Sequence, residues 1–164
     1  MRDILFRGKA KNRDKGYHRT KYKNGDWVYG LLTRLYDESF ENLPAEMTNE
    51  DGVRGIEIEC KTIGQYTGLT DKNGTKIFEG DVIKIEHSDY AFDGVTLEHR
   101  TEQGIVAYDN IGSIGIVVDR YNGENVWSDF FHVLGLTGRV ENWSFEIIGN
   151  IHDNPELLKG ENDA

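Results

Sequence analysis

Short runs of strand-forming residues surround two turn signals between residues 63 and 85. Asn73-Gly74 marks the first turn, because both residue types tolerate the positive φ that a type I′ hairpin turn requires. Gly80-Asp81 marks a second corner, after which residues 82–85 resume an extended apolar pattern. The pattern predicts three short strands joined by two tight turns, which form a coiled unit of the kind found in small β-barrels.

A further strand is predicted at residues 26–36, where the alternation of side chains is strong. Its aromatic residues Trp27 and Tyr29 are expected to be core or interface anchors rather than a ligand platform. Weaker patterns predict a strand at 4–6, an exposed loop at 8–25, strands at 104–109 and 113–119, a turn at 121–125, a final strand at 144–151 and one helical turn that starts at Asn154-Pro155.

Three segments fit more than one structure. The acidic residues 37–53 fit a surface loop or a short helix, and the polar residues 86–103 fit a hairpin arm or a mobile loop. Residues 126–136 fit either a short helix or a loop followed by a strand.

The only cysteine lies at the end of an alternating segment, residues 55–60. Period-2 alternation places Ile56, Ile58 and Cys60 on one face, so we expect a buried, unreactive thiol. A single cysteine excludes intramolecular disulfides and cysteine-based zinc sites, which favours a reducing cytoplasm. The chain also has no apolar run long enough for a membrane span or signal peptide, so we expect a soluble, intracellular protein.

Charge is distributed unevenly along the chain, which has a formal net charge of −10. Residues 1–34 contain ten Lys and Arg against three acids, whereas the remainder contains nine against twenty-six. The basic segment fits a solvated loop, an oligomer contact or a polyanion-binding arm. The residues that would form such an oligomer or polyanion contact are Arg7, Lys9, Lys11, Arg13, Arg19, Lys21 and Lys23.

Two readings of this charge pattern involve nucleic acid. Tyr17, His18 and Tyr22 are interleaved with the basic residues, as in a surface that tracks a backbone and stacks bases. The acidic remainder opposes this reading, because it repels phosphates within a Debye length of about 8–10 Å. The alternative interpretation is that this acidic protein mimics DNA and thereby inhibits a host protein.

Motifs for known chemistry are missing from the sequence. It has no Walker motif, no dinucleotide fingerprint, no zinc-protease motif and no nucleophile elbow. An EF-hand loop starting at Asp71 fails, because Lys76 and Val82 stand where glycine and glutamate are needed. A metal site at His87 and His99 with Asp89 or Asp93 is a remote alternative, and His152 fits a turn. We expect no enzyme activity, no cofactor and no metal.

Four segments resemble the YopX family of bacteriophage and prophage proteins: residues 6–9 (FRGK), 25–30 (GDWVYG), 63–83 (IGQYTGLTDKNGTKIFEGDVI) and 145–158 (FEIIGNIHDNPELL). The resemblance spans nearly the whole chain in the expected order. It implies a phage or prophage origin, a cytoplasmic location in the bacterial host cell and a β-rich fold with an SH3-like barrel. It implies no reaction and no catalytic residues.

The predicted architecture is mostly β with minor α, with an SH3-like small barrel packed with an N-terminal β segment. The predicted division is residues 1–60 for the N-terminal subdomain, 61–153 for the barrel and 154–164 for a short helix and tail. We expect an accessory protein that acts through protein–protein contacts. We expect it to form a homo-oligomer and to bind an unknown host or phage protein. We expect no membrane association. Nucleic-acid binding and DNA mimicry are the alternatives.

Overall fold

A computed structural model of the chain describes residues 4–11, 21–35, 45–90, 95, 97–108, 114–121, 124–127 and 143–158. The fold is mostly β, as predicted. Its strands are β1 (Phe6–Lys9), β2 (Trp27–Arg34), β3 (Ala45–Asn49), β4 (Ile56–Ile58), β5 (Gly64–Thr70), β6 (Lys76–Phe78), β7 (Asp81–Tyr90), β8 (Leu97–Tyr108), β9 (Ile114–Tyr121), β10 (Glu124–Trp127) and β11 (Trp143–Asn150). Two short 3-10 helices occupy Cys60–Thr62 and Pro155–Leu158.

The chain divides into two compact units, Met1–Tyr66 and Thr67–Ala164. The boundary between them falls inside β5, whereas the sequence placed a boundary after residue 60. The predicted division into three segments stays a prediction.

In the first unit, antiparallel strands lie in the order β4-β3-β2-β1, and β1 also pairs with the start of β5. Alternate residues of these strands point to one side, where they form the core: Ala10, Val28, Ala45, Met47, Ile56 and Ile58. The strand predicted at 26–36 is confirmed as β2. Residues 45–49 are a strand rather than the expected loop or helix, because Ala45, Met47 and Asn49 alternate into the buried side.

Backbone hydrogen bonds bring β4 back to the end of β1. Ala10 forms a bridge with Ile58, the N–H of Lys11 donates to the carbonyl of Glu57 at 2.8 Å, and that of Glu59 donates to Lys9. The strand predicted at 4–6 is therefore displaced: β1 is Phe6–Lys9, and residues 4 and 5 precede it. The loop predicted at 8–25 correspondingly begins too early, because residues 8 and 9 belong to β1. No closed barrel is found among the described strands, and the SH3-like barrel stays a prediction.

In the second unit, the strands of an antiparallel sheet lie in the order β10-β9-β8-β7-β11. Their inward side chains pack with Ile77 of β6 into a second core, which contains Ile77, Ile83, Ile85, Val106, Ile114 and Ile116. The predicted strands at 104–109, 113–119 and 144–151 are confirmed within β8, β9 and β11, except that residues 109 and 113 lie outside the described residues. The predicted helical turn after Asn154 is the 3-10 helix Pro155–Leu158.

The hairpin predicted at Asn73-Gly74 is confirmed between β5 and β6, and we call it the central hairpin. Its turn is longer than the predicted type I′ turn. The N–H of Gly74 donates to the carbonyl of Asp71, and the N–H of Asp71 donates to the carbonyl of Thr75. These bonds define a three-residue loop with Gly74 in the left-handed region, at φ 81°. Asp71 selects this loop, because its Oδ1 accepts the N–H groups of Asn73 and Thr75 at 2.8 and 2.9 Å.

Two of the open alternatives are resolved in part. Residues 86–90 and 97–103 form a hairpin arm, because β7 and β8 pair continuously from Val82–Ile105 to Tyr90–Leu97. At 126–136 the chain continues β10 as far as Trp127, and the rest of that segment lies outside the described residues. The predicted turn at 121–125 is described only at its ends, where Glu124 pairs with Tyr121.

Cys60 is exposed, so the prediction of a buried thiol is wrong. Strand β4 ends at Ile58, and the alternation does not continue into the 3-10 helix Cys60–Thr62. Thr62 takes the buried position instead. Its hydroxyl accepts the N–H of Lys9 at 2.8 Å and donates to the carbonyl of Glu59 at 2.7 Å.

Candidate binding face

One side of the first unit's sheet bears side chains opposite to the core, and we call it the outer face. On β2, Val28 and Gly30 are buried, whereas Tyr29 and Leu31 are 40% and 54% exposed. Side chains directly opposite on paired strands lie on the same face of a sheet. The register of β1 with β2 pairs Arg7 with Tyr29 and Lys9 with Trp27, so both cations lie on the outer face.

Trp27 lies on this face in contact with both cations. The guanidinium carbon of Arg7 lies 4.8 Å from the centroid of the Trp27 ring, and Nζ of Lys9 lies 5.4 Å from it. Each such cation–π contact contributes about 0.5–1 kcal/mol at an exposed site and more when desolvated. Arg7 is only 6% exposed, so its charge is held against the indole rather than presented to solvent.

Gly30 sets the spacing beneath the outer face. A Cβ atom at this position would overlap the carbonyl oxygen of Thr48 and lie 2.8 Å from Cα of Asn49. The absence of a side chain therefore allows β2 and β3 to approach closely. This approach keeps Tyr29 and Leu31 on a continuous sheet, with Leu31 directly opposite Thr48.

A second basic position lies at the loop before β2. Nζ of Lys21 forms a 2.8 Å ion pair with Asp51, and the hydrogen bond within this pair raises the pKa of Lys21 and lowers that of Asp51. The side chain of Asn49 stabilises the turn that follows β3, because it donates to Asp51 and accepts the N–H of Val53. It also donates to the Tyr22 hydroxyl, in the loop before β2.

The seven basic residues singled out in the sequence thus have different surroundings. Arg7 and Lys9 meet on the outer face, Lys21 is ion-paired, and Lys23 is exposed with its backbone N–H bonded to Asp26. Lys11 is half-buried beside β4, and Arg13 and Arg19 lie outside the described residues. The sequence missed Leu31 as a surface residue, because a strand with two apolar faces hides which one is exposed.

Charged groups on β7, on β11 and in the turn between β5 and β6 form a second cluster, in the second unit. Lys72 and Glu146 are 2.6 Å apart, as are Lys84 and Glu86. The hydrogen bond and charge of Lys84 lower the pKa of Glu86, and the hydrogen bond to Glu146 raises that of Lys72. A general acid at neutral pH needs a raised carboxyl pKa, so this arrangement fits a surface ion-pair network.

The histidines add little chemistry within the described part of the chain. Nδ1 of His99 lies 2.6 Å from the Ser88 hydroxyl, across β7 and β8, where His99 is exposed and Ser88 is half-buried. No group of three or more His, Cys, Asp or Glu residues suited to a metal is found among the described residues. The side chains of His87, Asp89 and Asp93, named for the alternative metal site, lie outside them. His152 lies in a turn, where its N–H donates to Asn150.

Comparisons with known proteins give a family and little more. A family model described as YopX protein matches residues 5–159. No curated protein matches the chain. Among solved structures, the chain is similar to protein EF1440 from Enterococcus faecalis, with 24% identity and a TM-score of 0.38 over 82% of this chain and 91% of that one. In the described residues, no helix has the length and apolar character to cross a membrane.

Proposed function

The chain belongs to the YopX family, and we propose that it is a non-enzymatic phage or prophage accessory protein that acts through protein–protein contacts and self-association. The observation that carries this proposal is the outer face, where Trp27, Tyr29 and Leu31 follow one another at alternate positions of β2. Tryptophan, tyrosine and arginine are the residue types that contribute most to protein–protein affinity. Held together on one side of a rigid sheet, they form a preorganised contact surface.

The partner that fits this face is a protein with an acidic, partly apolar surface. Lys9 gives the face positive charge, and residues 1–34 as a whole carry ten basic residues against three acidic ones. Leu31 and Tyr29 add exposed apolar area beside that charge. Complementary charge raises the association rate and excludes wrong partners, while the apolar side chains supply affinity.

A nucleic acid fits the same face less well. Phosphate binding depends on several cations that reach solvent, and affinity grows with the number of phosphates neutralised. Arg7 is 6% exposed against Trp27, and Lys21 is engaged by Asp51. The acidic remainder of the chain repels phosphates. These contacts favour a protein partner over nucleic acid.

The proposal of a non-enzymatic role is supported by the environment of the acidic groups. Asp71 and Glu86 both have lowered pKa values, the reverse of the shift that a carboxyl general acid requires. Lys72 and Lys84 are partly exposed, and each forms an ion pair with a glutamate. These features serve stability rather than proton transfer.

Photo-crosslinking in bacterial cells that make the protein tests the proposal. A photoreactive amino acid replaces Leu31 on the outer face, and the matched control replaces Leu158, which is also exposed. We expect protein adducts several-fold more abundant at position 31, and a marked loss of them in a Lys9→Glu background. Equal yields at both positions would contradict the proposal, and adducts mainly of nucleic acid would favour the alternative.

A further inference from the structure

The hairpin arm presents a strand edge that β9 covers only in part. β8 runs from Leu97 to Tyr108, but its pairing with β9 extends only from Ile105 to Tyr108. Its other edge pairs with β7 along the whole register from Ile105 to Leu97. Among the described strands, none pairs with residues 99–103 on the side away from β7.

The direction of the backbone groups on this edge follows from one hydrogen bond. The carbonyl of Val106 accepts the N–H of Gly80 at 2.9 Å, so the polar groups of Val106 face the side of β7. Backbone groups alternate between the two edges of a strand, and the register of β7 with β8 has no shift. The N–H and C=O groups of His99, Thr101 and Gln103 therefore point to the opposite edge, and all three residues are exposed.

We propose that two copies of the chain associate through residues 99–103 of β8, as an antiparallel pair around a two-fold axis at Thr101. This inference rests on the proposed self-association and names its surface. Strand edges with unpaired N–H and C=O groups are templates for pairing with another chain. The isologous contact closes after two copies, so it yields a dimer and no fibre.

Charge complementarity selects this register. Because the outward backbone groups belong to odd-numbered residues, hydrogen-bonded pairs across the axis join odd residues with each other. Centred on Thr101, the pairing places Arg100 opposite Glu102 of the second copy, and it does so twice by symmetry. A shift of the centre to residue 100 would set Arg100 against itself, and a shift to residue 102 would set Glu102 against itself. Like charges directly opposite destabilise strand pairs.

A charge-exchange experiment tests this contact. The mass of the full chain is measured by light scattering behind a sizing column and by sedimentation equilibrium, at micromolar concentrations. We expect the wild type to be a dimer and the single variants Arg100→Glu and Glu102→Arg to be monomers at the same concentration. An equimolar mixture of the two variants should recover the dimer, because each mixed pair then has opposite charges.

Backbone pairing is tested independently by Thr101→Pro, which removes an N–H that points away from β7. We expect a rise of at least about tenfold in the dimer dissociation constant, which corresponds to roughly 1.4 kcal/mol. Circular dichroism checks that each variant is folded, and the charge variants serve where the proline disrupts the arm. A wild-type dimer unaffected by all three substitutions would overturn the β8 contact but leave self-association standing. A monomeric wild type would overturn both.

Discussion

Asp71 holds the central hairpin through one carboxylate, and its removal is the sharpest stability test of the fold. Oδ1 accepts the N–H groups of Asn73 and Thr75 at 2.8 and 2.9 Å, and Oδ2 accepts the N–H of Ile147 at 3.4 Å. A hydrogen bond to a charged group contributes about 1.5–3 kcal/mol. Since water can reach part of the turn after truncation, we expect Asp71→Ala to reduce the free energy of unfolding by about 2–4 kcal/mol.

The same residue predicts a pH dependence with a defined sign. Burial alone raises the pKa of Asp71, but the hydrogen bonds from Thr75, Asn73 and Ile147 outweigh it, so the pKa in the folded protein is lowered. A carboxyl group with a lowered folded pKa stabilises the fold above its unfolded pKa, and this contribution disappears as the pH falls through the folded value. The difference between wild type and Asp71→Ala should therefore be largest near neutrality and shrink below about pH 4.

Urea unfolding followed by far-ultraviolet circular dichroism, repeated from pH 7 to pH 3, measures both quantities. Asp51→Ala is the matched control, because its carboxylate is exposed and pairs with Lys21. An exposed ion pair contributes little to stability, because water and salt screen it. An Asp71→Ala variant no less stable than the Asp51→Ala control, or a difference that is constant with pH, would refute this account of the turn.

Three further predictions concern the first unit. Gly30→Ala should reduce the free energy of unfolding by about 3 kcal/mol, because the new Cβ overlaps β3. Gly52→Ala should reduce it by about 1–2 kcal/mol, because Gly52 has a φ of 81° but open space around it. Equal urea midpoints for the two variants would contradict the steric argument. Met47→Ala, in the core, should reduce the free energy of unfolding by about 2–5 kcal/mol. Leu31→Ala, at an exposed position, should change it by no more than about 0.5 kcal/mol, and thermal unfolding measures both effects. Cys60 should react with a thiol reagent in the native protein nearly as fast as in urea, and slow native labelling would count against its exposure.

The period-2 pattern predicts the cores well, because buried alternate positions leave a direct trace in the sequence. Ile83 and Ile85 on β7, and Ile56 and Ile58 on β4, lie in the cores as their alternation indicates. The same rule failed at Cys60, because periodicity does not show where a strand ends. Strand β3 was missed, since its buried residues Ala45 and Asn49 give little apolar signal.

The outer face and the β8 edge depend on pairing between strands, which no single strand reveals. Lys9 and Trp27 are far apart in the chain, and only the register of β1 with β2 places them together. Likewise, the β8 edge that no described strand pairs with follows from where the pairing with β9 ends, at Ile105. The charge asymmetry was visible in the sequence, but its distribution over buried, ion-paired and exposed groups required side-chain positions.

Self-association is the part of the account on which the proposed mode of action depends most directly. The molar mass of the full chain, measured by light scattering behind a sizing column at low and at high salt, tests it without any substitution. We predict a dimer at micromolar concentration at both salt concentrations. A monomer under both conditions would contradict the account.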